Sequence, residues 1–130
     1  MSIRTPLAKV KHLGSAHSGT QHFIHQRVTA LFMIPLMMWF VYSILTFILL
    51  PIDNVPEFVT SPVNVIASIL FVGTFLYHGT LGMRVIIEDY IHCKWMQNAM
   101  LIGLHLLSIV TFISGVVALL SIHFIFRIAL

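Results

Sequence analysis

The sequence predicts an all-α integral membrane protein of three transmembrane helices. Two observations carry this. Of 130 residues, 58% are hydrophobic and only 8% are charged, where soluble domains carry about 25% charged residues, and the mean hydropathy is +0.99. The apolar residues are also gathered into three long runs, Val28–Leu50, Val63–Met83 and Ala99–Ile122. These contain no Asp, Glu, Lys or Arg, and the second and third hold one histidine each. A helix needs roughly 20 mostly apolar residues to cross a bilayer. With the second run extended into its helix end, the spans fall at about 28–50, 63–87 and 99–122, in one membrane-anchor domain covering 1–130.

The segment 1–27 is polar, basic and free of acids. It lacks the apolar core and small-residue cleavage site of a secretory signal. It weakly resembles an organellar presequence and reads more simply as a polar tail on the inner side. In the first span Pro35 removes a backbone donor that neighbouring groups can re-satisfy, so a modest kink at most is expected. The connection "PIDNVPEFVTSP" (51–62) holds Asp53, Glu57 and three prolines that stop the flanking helices. Arg4, Lys9, Lys11 and Arg27 precede the first span, Arg84 and Lys94 lie by the second connection, and Arg127 alone lies past the third. The positive-inside rule then places the N-terminus inside and the C-terminus outside. Three helices alone bury few polar contacts, so packing against a partner membrane subunit is expected.

Several classes are excluded. A net charge of +3, scattered along the chain, makes no nucleic-acid face. Cys93 is single, so no disulfide framework or iron–sulfur ligand set can form within the chain. No nucleotide-binding motif occurs. A small proton-relaying transporter finds no support, because the first span has no charge and no pair of broken helices marks a path.

The second span carries the chemistry. At about 100° per residue, His78, Gly82, Val85 and Asp89 fall on one stripe, while Arg84 and Glu88 are spaced to pair at i, i+4. An intramembrane histidine is a functional candidate by default, and neutral imidazole is a strong axial ligand for haem iron. Gly79 and Gly82 beside it would let a flat macrocycle approach. A histidine satisfied across helices, with glycines serving helix packing, fits the same spacing equally well. Tyr90 can donate a hydrogen bond to a carbonyl and Asp89 can orient groups or pass protons; taken alone, both also fit an interfacial belt.

Two blocks resolve these alternatives by resemblance. "HGTLGMRVIIEDY" (78–90) resembles the second transmembrane helix of the small membrane-anchor subunit of succinate dehydrogenase, the succinate:quinone oxidoreductase of respiratory chains, in its alphaproteobacterial and mitochondrial-type branch. "SGTQHFIHQRVTAL" (18–31) resembles that family's entry to the first helix, although Phe23 stands where some relatives carry an acidic residue. The resemblance implies a multi-pass inner-membrane anchor for a flavoprotein and an iron–sulfur subunit. It assigns His78 as axial ligand of a haem b shared with the larger cytochrome b subunit. It assigns Tyr90, supported by Asp89, to ubiquinone, and Arg27, with His22 and Gly82, to supporting the haem and its propionates. Electrons from succinate would reach quinone at the inner face, with protons entering from the same side. An anchor of a fumarate reductase and a structural anchor with a vestigial haem site are the alternatives.

The remaining polar residues carry less. His105 lies at a depth similar to His78; a hydrogen bond to a neighbour or a place in the partner interface is expected, with a haem bridged between the two as the alternative. His12, His17, His92 and His123 read as interfacial or solvated. Met33, Met37 and Met38 read as packing or lipid-facing residues.

Overall fold

The computed structural model describes residues 16–49, 51 and 55–129, and, of those, not the side chains of residues 16–20, 22 and 129. Arg4, Lys9, Lys11, His12 and Asp53 lie outside the described residues, as do the side chains of His17 and His22.

Four helices are described: α1 (Ala16–Leu49), α2 (Val55–Thr60), α3 (Pro62–Tyr90) and α4 (Lys94–Ala129). The long three are each apolar enough to cross a membrane: Phe23–Leu49, Pro62–Tyr90 and Lys94–Ile128. All extend beyond the charge-free runs in the sequence. Inside hydrocarbon, every backbone N–H and C=O must be satisfied within the helix, and nothing at the membrane boundary forces that ladder to stop. Pro35 is accommodated inside α1 without ending it.

The connection read as a simple helix stop holds a helix of its own, α2. Pro56 occupies its first turn, where a missing N–H costs nothing, and Glu57 lies in that same turn, where the helix dipole favours an acid. Asn64 donates its side-chain amide to the Phe58 carbonyl at 2.9 Å, tying α2 to the start of α3. Pro62 then begins α3 at a position suited to proline. At the other end of α3, residues 91–93 reverse the chain, with the Ile91 N–H still donating to the Ile87 carbonyl at 3.1 Å.

Helix α3 is the middle of the molecule. It packs on α1 and on α4, which make little contact with each other. Against α1, the rings of Phe40 and Phe71 stack with centroids 4.4 Å apart and planes inclined by 12°. Against α4, the Thr80 and Ser108 hydroxyls share a hydrogen bond of 3.0 Å. Further along the same interface, Phe112 meets the bare backbone of Gly73 and Val72 lies against Gly115. Small residues at such crossings let backbones approach where lipid offers no hydrophobic drive to associate.

The result is a layer of helices rather than a bundle with a centre. Among the described residues only Ile87 and His123 are buried. His123, read from the sequence as a residue of the outer boundary, lies inside α4 and is covered within the described structure. It stands edge-on to Phe124 at 5.6 Å between ring centroids, and its Nδ1 has no hydrogen-bond partner among the described residues. His92 and Cys93 are exposed, as expected of a turn at the membrane surface.

Candidate functional site

The residues that suggested chemistry gather at one end of the α1–α3 interface. Phe23, Gln26, Arg27, Ala30, Leu31 and Ile34 recur at helical spacing and form one face of α1. With His78 of α3 they line an open groove of about 700 Å³, a size usual for cofactor sites. Arg27 and His78, far apart in sequence, therefore share one cleft. The Arg27 guanidinium lies 4.6 Å above the Phe23 ring centroid, a cation–π contact that holds the arginine along the groove wall.

Two hydrogen bonds cross this interface. Thr29 Oγ1 and His78 Nδ1 are 2.9 Å apart, and the Tyr77 hydroxyl lies 3.2 Å from His25 Nδ1. With Nδ1 engaged, Nε2 is the ring's remaining nitrogen. Thr29 is the site residue that sequence reasoning missed. A signal for it existed: the first span offers hydroxyls at Thr29, Tyr42, Ser43 and Thr46, and only Thr29 lies at the end of the span that His78 occupies.

The glycines beside His78 are open. A Cβ built on Gly79 or on Gly82 meets nothing within 4 Å, so neither is needed for packing within this chain. The Arg84–Glu88 pair forms as spaced, Nε to Oε1 at 2.7 Å. The next two residues, Asp89 and Tyr90, are both exposed at the end of α3, Tyr90 at 79%. The helix brings them to the same end of the molecule as the groove, without joining them to it.

His105 stands apart. Its Nδ1 lies 2.7 Å from the Leu101 carbonyl on its own helix; a carbonyl only accepts, so the imidazole donates. The described lining of the His78 groove includes no residue of α4.

This set of residues fits a haem better than a bare metal ion. Among the described residues no three His, Cys, Asp or Glu side chains converge. A lone imidazole with a free nitrogen suits an iron whose equatorial donors come from a macrocycle. Gly79 and Gly82 leave the helix surface next to His78 bare, and Arg27 brings into the groove a cation of the kind that pairs with carboxylates. A second cavity, about 460 Å³, lies at the other end among Trp39, Phe47, Phe58 and Leu119. Three of its polar side chains are already committed: Ser43, Asn64 and Ser68 all donate to backbone carbonyls at 2.8–2.9 Å. That leaves an apolar space suited to hydrocarbon.

Comparison with known proteins bears on the chain as a whole. Residues 1–118 match the family model described as succinate dehydrogenase/fumarate reductase transmembrane subunit. A succinate dehydrogenase hydrophobic membrane anchor subunit of Rickettsia bellii is 36% identical over 116 residues, 89% of this chain and 93% of the relative. Its counterpart in Rickettsia conorii is 38% identical over 118 residues, 90% of this chain and 94% of the relative. That of Rickettsia prowazekii is 34% identical over 117 residues, again 90% and 94%. No solved structure matches the chain. With three helices long enough to span and a match over nearly its whole length, the chain belongs to the family of succinate dehydrogenase and fumarate reductase transmembrane subunits, as a multi-pass anchor of the inner membrane.

Proposed function

We propose that the chain is the small anchor subunit of a succinate:quinone oxidoreductase, sharing a haem b with a larger cytochrome b subunit and contributing to the ubiquinone site. The observation that carries the reading is the groove beside His78, where an intramembrane imidazole has one nitrogen engaged and the other without a partner among the described residues, with the Arg27 cation in the same lining. The relatives are named for succinate dehydrogenase, which favours succinate oxidation over the fumarate reductase alternative.

In this reading His78 would hold the haem through Nε2, and the larger cytochrome b subunit would share the group. Arg27, assisted by His22, would neutralise its propionates, and the bare backbone at Gly82 would leave it room. Bound there, haem would supply a one-electron store. Tyr90 donates its hydroxyl hydrogen to a quinone carbonyl, and Asp89 accepts and releases the protons that quinone reduction consumes. Both are exposed on this chain, so partner subunits complete the walls of their site and exclude water. The N-terminus and the α3–α4 turn face inward, where the iron–sulfur and flavoprotein subunits dock, and the C-terminus faces outward.

A reduced-minus-oxidised optical spectrum of the purified assembly tests the proposal. A b-type signal that disappears in His78→Ala and persists in His105→Ala is expected. A signal lost in both variants would place the haem inside this chain, and the absence of any b-type signal would leave a structural anchor.

A further inference from the structure

We infer that Thr29 is a positioning residue for His78: its hydroxyl accepts the Nδ1 hydrogen of the imidazole, fixes that tautomer and presents Nε2 to the metal. This rests on the haem reading above. The direction of the bond follows from counting protons. Thr29 Oγ1 lies 2.8 Å from the His25 carbonyl oxygen and 3.0 Å from that of Gln26, as well as 2.9 Å from His78 Nδ1. A hydroxyl has one hydrogen and two lone pairs, and a carbonyl oxygen can only accept. The hydrogen therefore belongs to the α1 backbone. Turned toward His78 instead, it would leave the hydroxyl oxygen facing two carbonyl oxygens at hydrogen-bond distance with no proton between them.

With its hydrogen spent on α1, Thr29 can only accept from His78. A neutral imidazole carries one N–H, so that hydrogen sits on Nδ1 and the Nε2 lone pair is free. A hydroxyl already donating to a carbonyl is polarised into a better acceptor. The geometry is also stiff. A β-branched threonine has few rotamers, its hydroxyl is pinned to its own helix, and the Tyr77–His25 bond beside it ties the same two helices. Metal-bound histidines commonly use a partner on their second nitrogen to fix orientation and raise ligand basicity, and losing that partner typically costs 10–100-fold in metal affinity or activity. Here the partner is a side chain of the neighbouring helix, so the register of α1 against α3 sets the aim of the ligand.

The test uses the purified complex with Thr29→Val, Thr29→Ala and Thr29→Ser, read as haem per flavin and as the midpoint potential of the haem. Thr29→Val and Thr29→Ala remove the acceptor and are expected to lose haem about tenfold or more readily on dilution. The haem they keep should have a more positive potential, because a less basic ligand stabilises oxidised iron less. Thr29→Ser keeps the hydroxyl and should restore both readouts. Wild-type retention and potential in Thr29→Val or Thr29→Ala overturn the positioning role, as does a Thr29→Ser variant as impaired as the other two. A haem signal that survives His78→Ala fails the parent reading instead, and the two failures are told apart by that variant alone.

Discussion

Phe112 of α4 seats its ring against the backbone of Gly73 in α3, so close that a Cβ on Gly73 would stand 3.1 Å from Phe112 Cε2. This is the tightest of the described glycine contacts, and it lies where the middle helix meets its neighbour. Gly73→Val should force the ring aside and part the helices, at a cost of about 1–3 kcal/mol for overpacking. The thermal midpoint of the purified complex would fall. An unchanged midpoint would mean that Phe112 turns away freely and that the crossing is held elsewhere.

Gly82 offers the opposite case. A Cβ there meets nothing in this chain, so Gly82→Val should fold and insert at normal levels. If a macrocycle lies against it, haem content falls while the amount of anchor in the membrane stays constant. Haem content and anchor level falling together would instead show that Gly82 packs against a partner helix.

Arg27 is expected to matter for cofactor retention more than for topology. A charge-assisted hydrogen bond to a carboxylate is worth about 1.5–3 kcal/mol, or roughly a ten- to hundredfold loss of affinity at about 1.4 kcal/mol per decade. Arg27→Ala should therefore shed haem on dilution, with Arg27→Lys intermediate because it keeps the charge but loses the fork. Three other basic residues precede the first span, so insertion should survive. A variant that inserts poorly but keeps its haem would remove Arg27 from the propionates.

Tyr90→Phe deletes one hydroxyl from an exposed helix end. One lost hydrogen bond of about 1–1.5 kcal/mol should lower quinone-linked turnover roughly tenfold relative to dye-linked succinate oxidation. The ratio of the two rates is the readout. If they fall in parallel, the tyrosine supports docking of the soluble subunits rather than the quinone.

The fold was legible in the sequence to the extent that the bilayer dictates it. The three charge-free runs could satisfy their backbones only as helices, and the spacing of Arg84 and Glu88 alone predicted the ion pair that forms. What escaped depends on contacts between elements. Helix α2 was hidden because prolines that stop a helix also suit its first turn. The burial of His123 could not be read from its own stretch of sequence, because burial is set by contacts between elements. His78 was visible as a polar residue in an apolar run, and Thr29 as the hydroxyl at the matching end of the first span; that the two bond depends on the register of α1 against α3. Tyr90 and Asp89 are exposed positions at a helix end, and on the reading proposed above the walls of their site lie on other chains.

The layered arrangement, with α3 between two helices that hardly meet and only Ile87 and His123 buried among the described residues, bears on how long the protein lasts in a cell. With so little interior among the described residues, the chain gains most from what binds it. Whatever binds the folded form stabilises it by mass action, so on the reading proposed above its lifetime tracks the supply of its partner subunits and of haem, and turnover of unpartnered copies helps to keep the complex in proportion.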